Sequence, residues 1–113
     1  MTKKIAKTIE RLGWAITEEG DGFYLSQYSP AGEDFGFSVR KGREIEDIRE
    51  FYNAFDIDEH VEMWIAAKSS GVSGVPCASV LVHDAEEIES MLEELAIAVC
   101  ANCAEFAENG VLQ

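Results

Sequence analysis

Glu86, Glu87, Glu89, Glu93 and Glu94 crowd the stretch HDAEEIESMLEEL, residues 83–95, with no Lys or Arg among them. A surface helix ordinarily mixes charge signs, because Glu followed four residues later by Lys gains a few tenths of a kcal/mol and like pairs lose about as much. At 100° per residue, with Ile88 set at zero, these five acids and Glu105 and Glu108 fall between about 100° and 260°, opposite an apolar stripe. Asp84 to Glu94 places six carboxylates along roughly 15 Å of helix, about one per 2.5 Å, against about one per 1.7 Å of axis for duplex DNA. The chemistry this suits is electrostatic: carboxylates standing where phosphates would stand, facing a cationic partner. A second cluster, Asp56, Asp58, Glu59 and Glu62, lies in DIDEHVE. The ordinary account of such a face is solvation. Acids in a first turn also complement the helix dipole, which covers Asp84 to Glu87 but not Glu93, Glu94, Glu105 or Glu108. Ile97, at 180°, interrupts the acids as a candidate oligomer or partner contact.

The global charge has the same asymmetry. Residues 1–49 hold nine acids and eight bases, whereas residues 50–113 hold thirteen acids and one base, Lys68. Direct binding to DNA or RNA phosphates needs clustered Lys and Arg and is disfavoured; a basic protein partner is favoured. With 113 residues, 47% of them apolar and 11 aromatic, the chain is expected to fold as one domain with a real core. It has no apolar run long enough for a membrane span and no signal-type amino terminus, so a cytoplasmic protein is expected.

Other chemistries fit less well. Cys100 and Cys103 form C-x-x-C, and with Cys77 and His83 they could supply four zinc ligands. Zinc knuckles place that motif in a tight turn, whereas here it falls inside a predicted helix, so core thiols and no metal are expected. His60 in DEHVEMW is not the H-E-x-x-H arrangement, and SSGVSGVP has a phosphate loop's glycines without its Lys. DIDEH lacks the glycine and distal Glu of a calcium loop, and no nucleophile elbow or dinucleotide fingerprint occurs. The expectation is a protein without catalytic residues or cofactor.

Periodicity supplies the elements that carry these side chains. Ile5, Ile9 and Leu12 predict a helix over 3–12 with Gly13 as its stop. WAITEE, FYLSQYS and FGFSVR alternate as strands joined by GDG and PAGED turns, an antiparallel meander. Ile45, Ile48, Phe51, Tyr52 and Phe55 mark a second helix. Asp56, with Glu59 at capping-box spacing, starts a third, whose buried stripe is Val61, Trp64 and Ile65. Residues 69–76 form a Gly/Ser-rich loop, and CASVLV reads equally as helix or strand. The last helix is expected to start at Asp84 as N-cap and run to about Asn109, stopped by Gly110, with Ile88, Leu92, Leu95, Val99, Cys103 and Phe106 inward. The fold class is α+β, a three-stranded antiparallel meander packed on one face by about four helices.

QYSPAGEDFGFSV, FDIDEHVEMWIAAKSSGVSGVP and DAEEIESMLEEL together resemble small acidic proteins of Firmicutes genomes and their phages or mobile elements, over most of residues 14–96. The resemblance implies a mobile-DNA setting, where small, very acidic proteins look like antirestriction or anti-CRISPR inhibitors that occupy nucleic-acid-binding channels. On that reading the partner is a CRISPR effector or restriction nuclease, met through the two acidic clusters. The alternative is an interaction or regulatory module, a homodimer for instance, that uses an aromatic sheet face at Tyr24 and Tyr28 while the acids only solvate.

Overall fold

The computed structural model describes residues 1–71 and 73–111, with side chains to residue 100. In chain order the elements are α1 (Lys3–Arg11), β1 (Ala15–Glu19), β2 (Gly22–Tyr28), β3 (Asp34–Arg40), α2 (Glu44–Ala54), α3 (Ile57–Ser69) and α4 (Ala78–Val111). The fold is α+β, as the alternating and helical periods predict. The three strands pair consecutively and antiparallel, with Ile16 opposite Leu25 and Leu25 opposite Phe37. Because successive residues of a strand face opposite ways, this register puts Leu25, Phe35, Phe37 and Val39 on one face. That face is covered: α1 rests on β1, α2 on β3, and α4 spans α1 and α2. Ile9, Trp14, Leu25, Ile48, Ile88, Leu92, Leu95 and Val99 interlock there in one cluster. Trp14 meets Phe35 and Phe37 edge-on, and Phe37 stacks on Phe51 at 4.3 Å, geometries that add about 0.5–1.5 kcal/mol each beyond area burial.

Two glycines are required by close approaches. Gly13 ends α1 at φ 95°, where a Cβ would press on the Gln27 amide that donates to Leu12 O at 3.3 Å. Strand β2 thereby closes the carboxy-terminal end of α1. Gly36 lies beneath the Tyr24 ring on the uncovered sheet face, and any side chain there would collide with it.

Three expectations need correction. CASVLV is helical from Ala78, where α4 begins, so Asp84 is not its N-cap. Asp84 lies in the second turn, 6% exposed, and points inward. Its Oδ2 accepts from Ser29 Oγ at 2.7 Å and its Oδ1 from the Ala31 amide at 2.9 Å. Ser29 Oγ in turn accepts from the Glu33 amide at 3.0 Å, so one carboxylate organises the whole β2–β3 turn. Ile65, expected in the core, is 43% exposed. Helix α3 packs mainly against α4, and the seam between them is narrow: Ile57, Val61 and Trp64 against Leu81 and Ala85. Helix α4 runs through the expected Gly110 stop to Val111, the last residue described. Cys103 and Phe106, expected to face inward, lie outside the residues whose side chains are described, as do Glu105 and Glu108.

Candidate functional site

An α-helix keeps residues three and four apart on one side, and α4 spends its inner side on Leu81, Ala85, Ile88, Leu92, Leu95 and Val99. The remaining side carries the acids. Glu86, Glu93 and Glu94 are exposed, Glu87 and Glu89 half-buried. Removing inward-facing Asp84 from the row leaves five carboxylates over roughly 12 Å, about one per 2.4 Å, so the density is unchanged. The one neighbouring cation among the described residues is weak: His83 Nε2 lies 3.9 Å from Glu87 Oε1, and it is charged only if protonated. Ile97 sits on the same side, 61% exposed.

The amino-terminal half treats its acids differently. Asp47 takes a two-pronged contact from Arg40 at 2.7 and 3.0 Å, and the Arg40 guanidinium holds its carboxyl at about 2. Glu18 pairs with Lys41 at 2.8 Å, a contact that lowers its pKa. Glu46 pairs with Arg43. Burial pushes Glu44 up, but its own amide, the Gly42 amide and the amino-terminal ammonium at 3.3 Å outweigh it and leave the group below its usual value. Several acids of the sheet half are thus paired locally with Arg or Lys, whereas the described acids of α4 form no such pair.

The second cluster divides. Asp56 caps α3 as expected, accepting the Glu59 amide at 3.2 Å. Asp56 and Glu59 border an open groove of about 380 Å³ with Phe35, Phe51, Ala54, Phe55, His60 and Met63. Asp58 and Glu62, four residues apart on one side of α3, are exposed and do not line the groove. The α3–α4 seam at Val61, Leu81 and Ala85 places the two acidic clusters on neighbouring helices. Sequence reading missed the groove because its walls come from three separate segments, each of which looks like ordinary core patterning.

The zinc alternative fails on geometry. Cys77 stands beside the start of α4 and Cys100 twenty-three residues later on the same helix, roughly 34 Å away at 1.5 Å per residue. His83 and Cys100 are likewise about 25 Å apart, so these groups cannot share an ion. Cys77 is exposed, with its thiol lowered by the Ser79 hydroxyl at 3.4 Å and then by the Val80 amide. The uncovered sheet face, the alternative contact surface, offers Tyr28 at 70% exposure, while Tyr24 lies over Gly36. No helix among the described residues is long and apolar enough to cross a membrane. Comparison of the chain with family models, curated protein sequences and solved structures finds no match.

Proposed function

We propose that the protein is a non-catalytic inhibitor that acts in the cytosol on a nucleic-acid-handling defence enzyme, a CRISPR effector or a restriction nuclease. It does so by presenting carboxylates to that enzyme's basic channel. The observation that carries this reading is the outer side of α4: Glu86, Glu87, Glu89, Glu93 and Glu94 at near-duplex charge density, forming no ion pair with a Lys or Arg among the described residues. Like charges at Glu86 and Glu89, and at Glu89 and Glu93, each cost the free helix about 0.2–0.5 kcal/mol. A basic channel removes that cost, and complementary fields speed the encounter. The resemblance to small acidic proteins of mobile elements supplies the setting. Asp56, Asp58, Glu59 and Glu62 extend the charged surface on α3.

The test is charge reversal. Replacing Glu86, Glu93 and Glu94 by Lys leaves the inward stripe untouched, so the circular dichroism spectrum is retained. Inhibition of target cleavage by a panel of CRISPR effectors and restriction nucleases is expected for the original protein and lost for the variant. Equal inhibition by both would mean the acidic side only solvates the helix.

A further inference from the structure

The groove between the end of α2 and the first turns of α3 has a construction distinct from that of the α4 surface. Phe35, 7% exposed, forms its floor. Phe51 and Phe55 stand against that floor edge-on, each with its ring centroid 6.0 Å from Phe35. His60 closes one side, 6.0 Å from Phe35 and 5.4 Å from Phe55, with its Nε2 3.2 Å from Glu33 Oε1. Met63, 56% exposed, forms an apolar lip. The rim carries Asp56 and Glu59, both exposed, and no Lys or Arg is among the lining residues. The volume falls at the lower end of the range typical of pockets that seat a small group.

Apolar walls alone would suit a partner's Leu or Phe; the electrostatics select differently. Aromatic faces attract a cation placed over them, and two carboxylates at the mouth add full negative charges. The negative end of the α2 dipole and the positive end of the α3 dipole meet at this elbow and oppose one another. The carboxylates therefore set the sign. Asp56 has one oxygen committed to the Glu59 amide, which leaves its other oxygen and both of Glu59 for an incoming donor. Glu33 is occupied by His60. A group with an apolar stem, a flat cationic head and several N–H donors satisfies all of these features at once, and that description is an arginine side chain.

We propose that this groove is a receptor site for an arginine side chain of a protein partner, with the guanidinium over Phe51 or Phe55 and donating to Asp56 and Glu59, and the methylene stem against Met63. The proposal rests on the cationic-partner reading for whose arginine it is, but not for whether the groove accepts one. Arginine anchors seated in aromatic pockets are among the residues that dominate interface energies, so the site would fix the register of a partner that the α4 acids attract only diffusely.

The chain has three methionines, Met1, Met63 and Met91, and only Met63 lines the groove. Protein labelled with 13C at the methionine methyls is titrated with the blocked tripeptide Gly-Arg-Gly and with its citrulline counterpart, which keeps the shape and loses the charge. The expected result is a saturable shift of the Met63 methyl alone, with citrulline weaker by about fivefold or more. Asp56→Asn with Glu59→Gln, which keeps the helix cap because Asn caps as well as Asp, should weaken the arginine peptide comparably while leaving all three methyl positions in place. The charge-reversed α4 variant should titrate like the original. An immobile Met63 signal, equal binding of citrulline, or an unaffected double variant would overturn the site. Any of these could occur while α4 reversal still abolishes inhibition, which separates failure of the groove from failure of the inhibitor reading.

Discussion

Asp84→Ala removes a carboxylate that an N-cap reading would place in solvent and the structure places under the β2–β3 turn. Two contacts are lost, from Ser29 Oγ at 2.7 Å and from the Ala31 amide at 2.9 Å. They differ in consequence. Ser29 is buried, so its hydroxyl proton would be left without its acceptor, a cost of about 1–3 kcal/mol. Ala31 is exposed and its amide can turn to water, so that contact contributes only about 0.5–1.5 kcal/mol. The sum, about 1.5–4.5 kcal/mol, is a large part of the 5–15 kcal/mol typical of a domain. It should lower the urea midpoint by about 1–2 M at a slope of about 2 kcal/mol per M. Asp84→Asn separates the two roles: Asn caps helices as well as Asp and would be neutral at an N-cap, but here its amide cannot accept from both Ser29 and Ala31. Urea unfolding followed by far-ultraviolet circular dichroism reads both variants. An Asp84→Ala midpoint within about 0.3 M of the original, or a neutral Asp84→Asn, would refute the buried clamp.

Other outcomes follow from the titrating groups. Asp47 is held at about 2 against an ordinary 3.8, so its contribution is fully present above pH 4 and is lost as pH falls towards 2. Allowing for the exposed Arg40 partner, Asp47→Asn should cost about 1 kcal/mol at neutral pH, and the difference from the original protein should vanish in acid unfolding below pH 2. The Cys77 thiol, lowered by Ser79 and the Val80 amide, should react with a disulfide reagent faster than Cys100 near neutral pH, and Ser79→Ala should slow it. Relieving like-charge repulsion with Glu89→Gln should raise the unfolding midpoint slightly at low salt and leave it unchanged at high salt.

The strands were legible because alternation over Phe35, Phe37 and Val39 has only one physical reading once a face is buried. Thr2 and Asp56 cap α1 and α3 in the structure; the Asp56 cap was legible from its polar position ahead of a helical stripe. Asp84 was misread because the same cue, an Asp ahead of acids and an apolar stripe, also fits a helix that began two turns earlier. A signal was present: Asp84 falls at 320° in the frame where Ile88 is zero, inside the apolar stripe and beside Leu95 at 340°. Leu81 and Ala85 continue that stripe backwards. Ile65 was misplaced because periodicity reports which residues share a side, not how many neighbours cover it. The exposure of Glu86, Glu93 and Glu94 on α4 was legible, since they lie in one local segment, but the inward turn of Asp84 was not. The groove between α2 and α3 was not, because Phe35, Phe51 and His60 meet only through the packing of β3, α2 and α3.

Inhibition through the acidic side of α4 requires competition for a basic channel. A responsive CRISPR effector or restriction nuclease is loaded with labelled duplex DNA, and displacement is measured for the original protein and for Glu86→Gln/Glu93→Gln/Glu94→Gln at about 0.1 M and about 1 M salt. Across that range the screening length falls from about 10 Å to about 3 Å. If the acidic side occupies the channel, the original protein displaces DNA at the lower salt and fails at the higher, and the neutralised variant displaces little at either. Displacement that ignores both salt and the three Gln substitutions would contradict it.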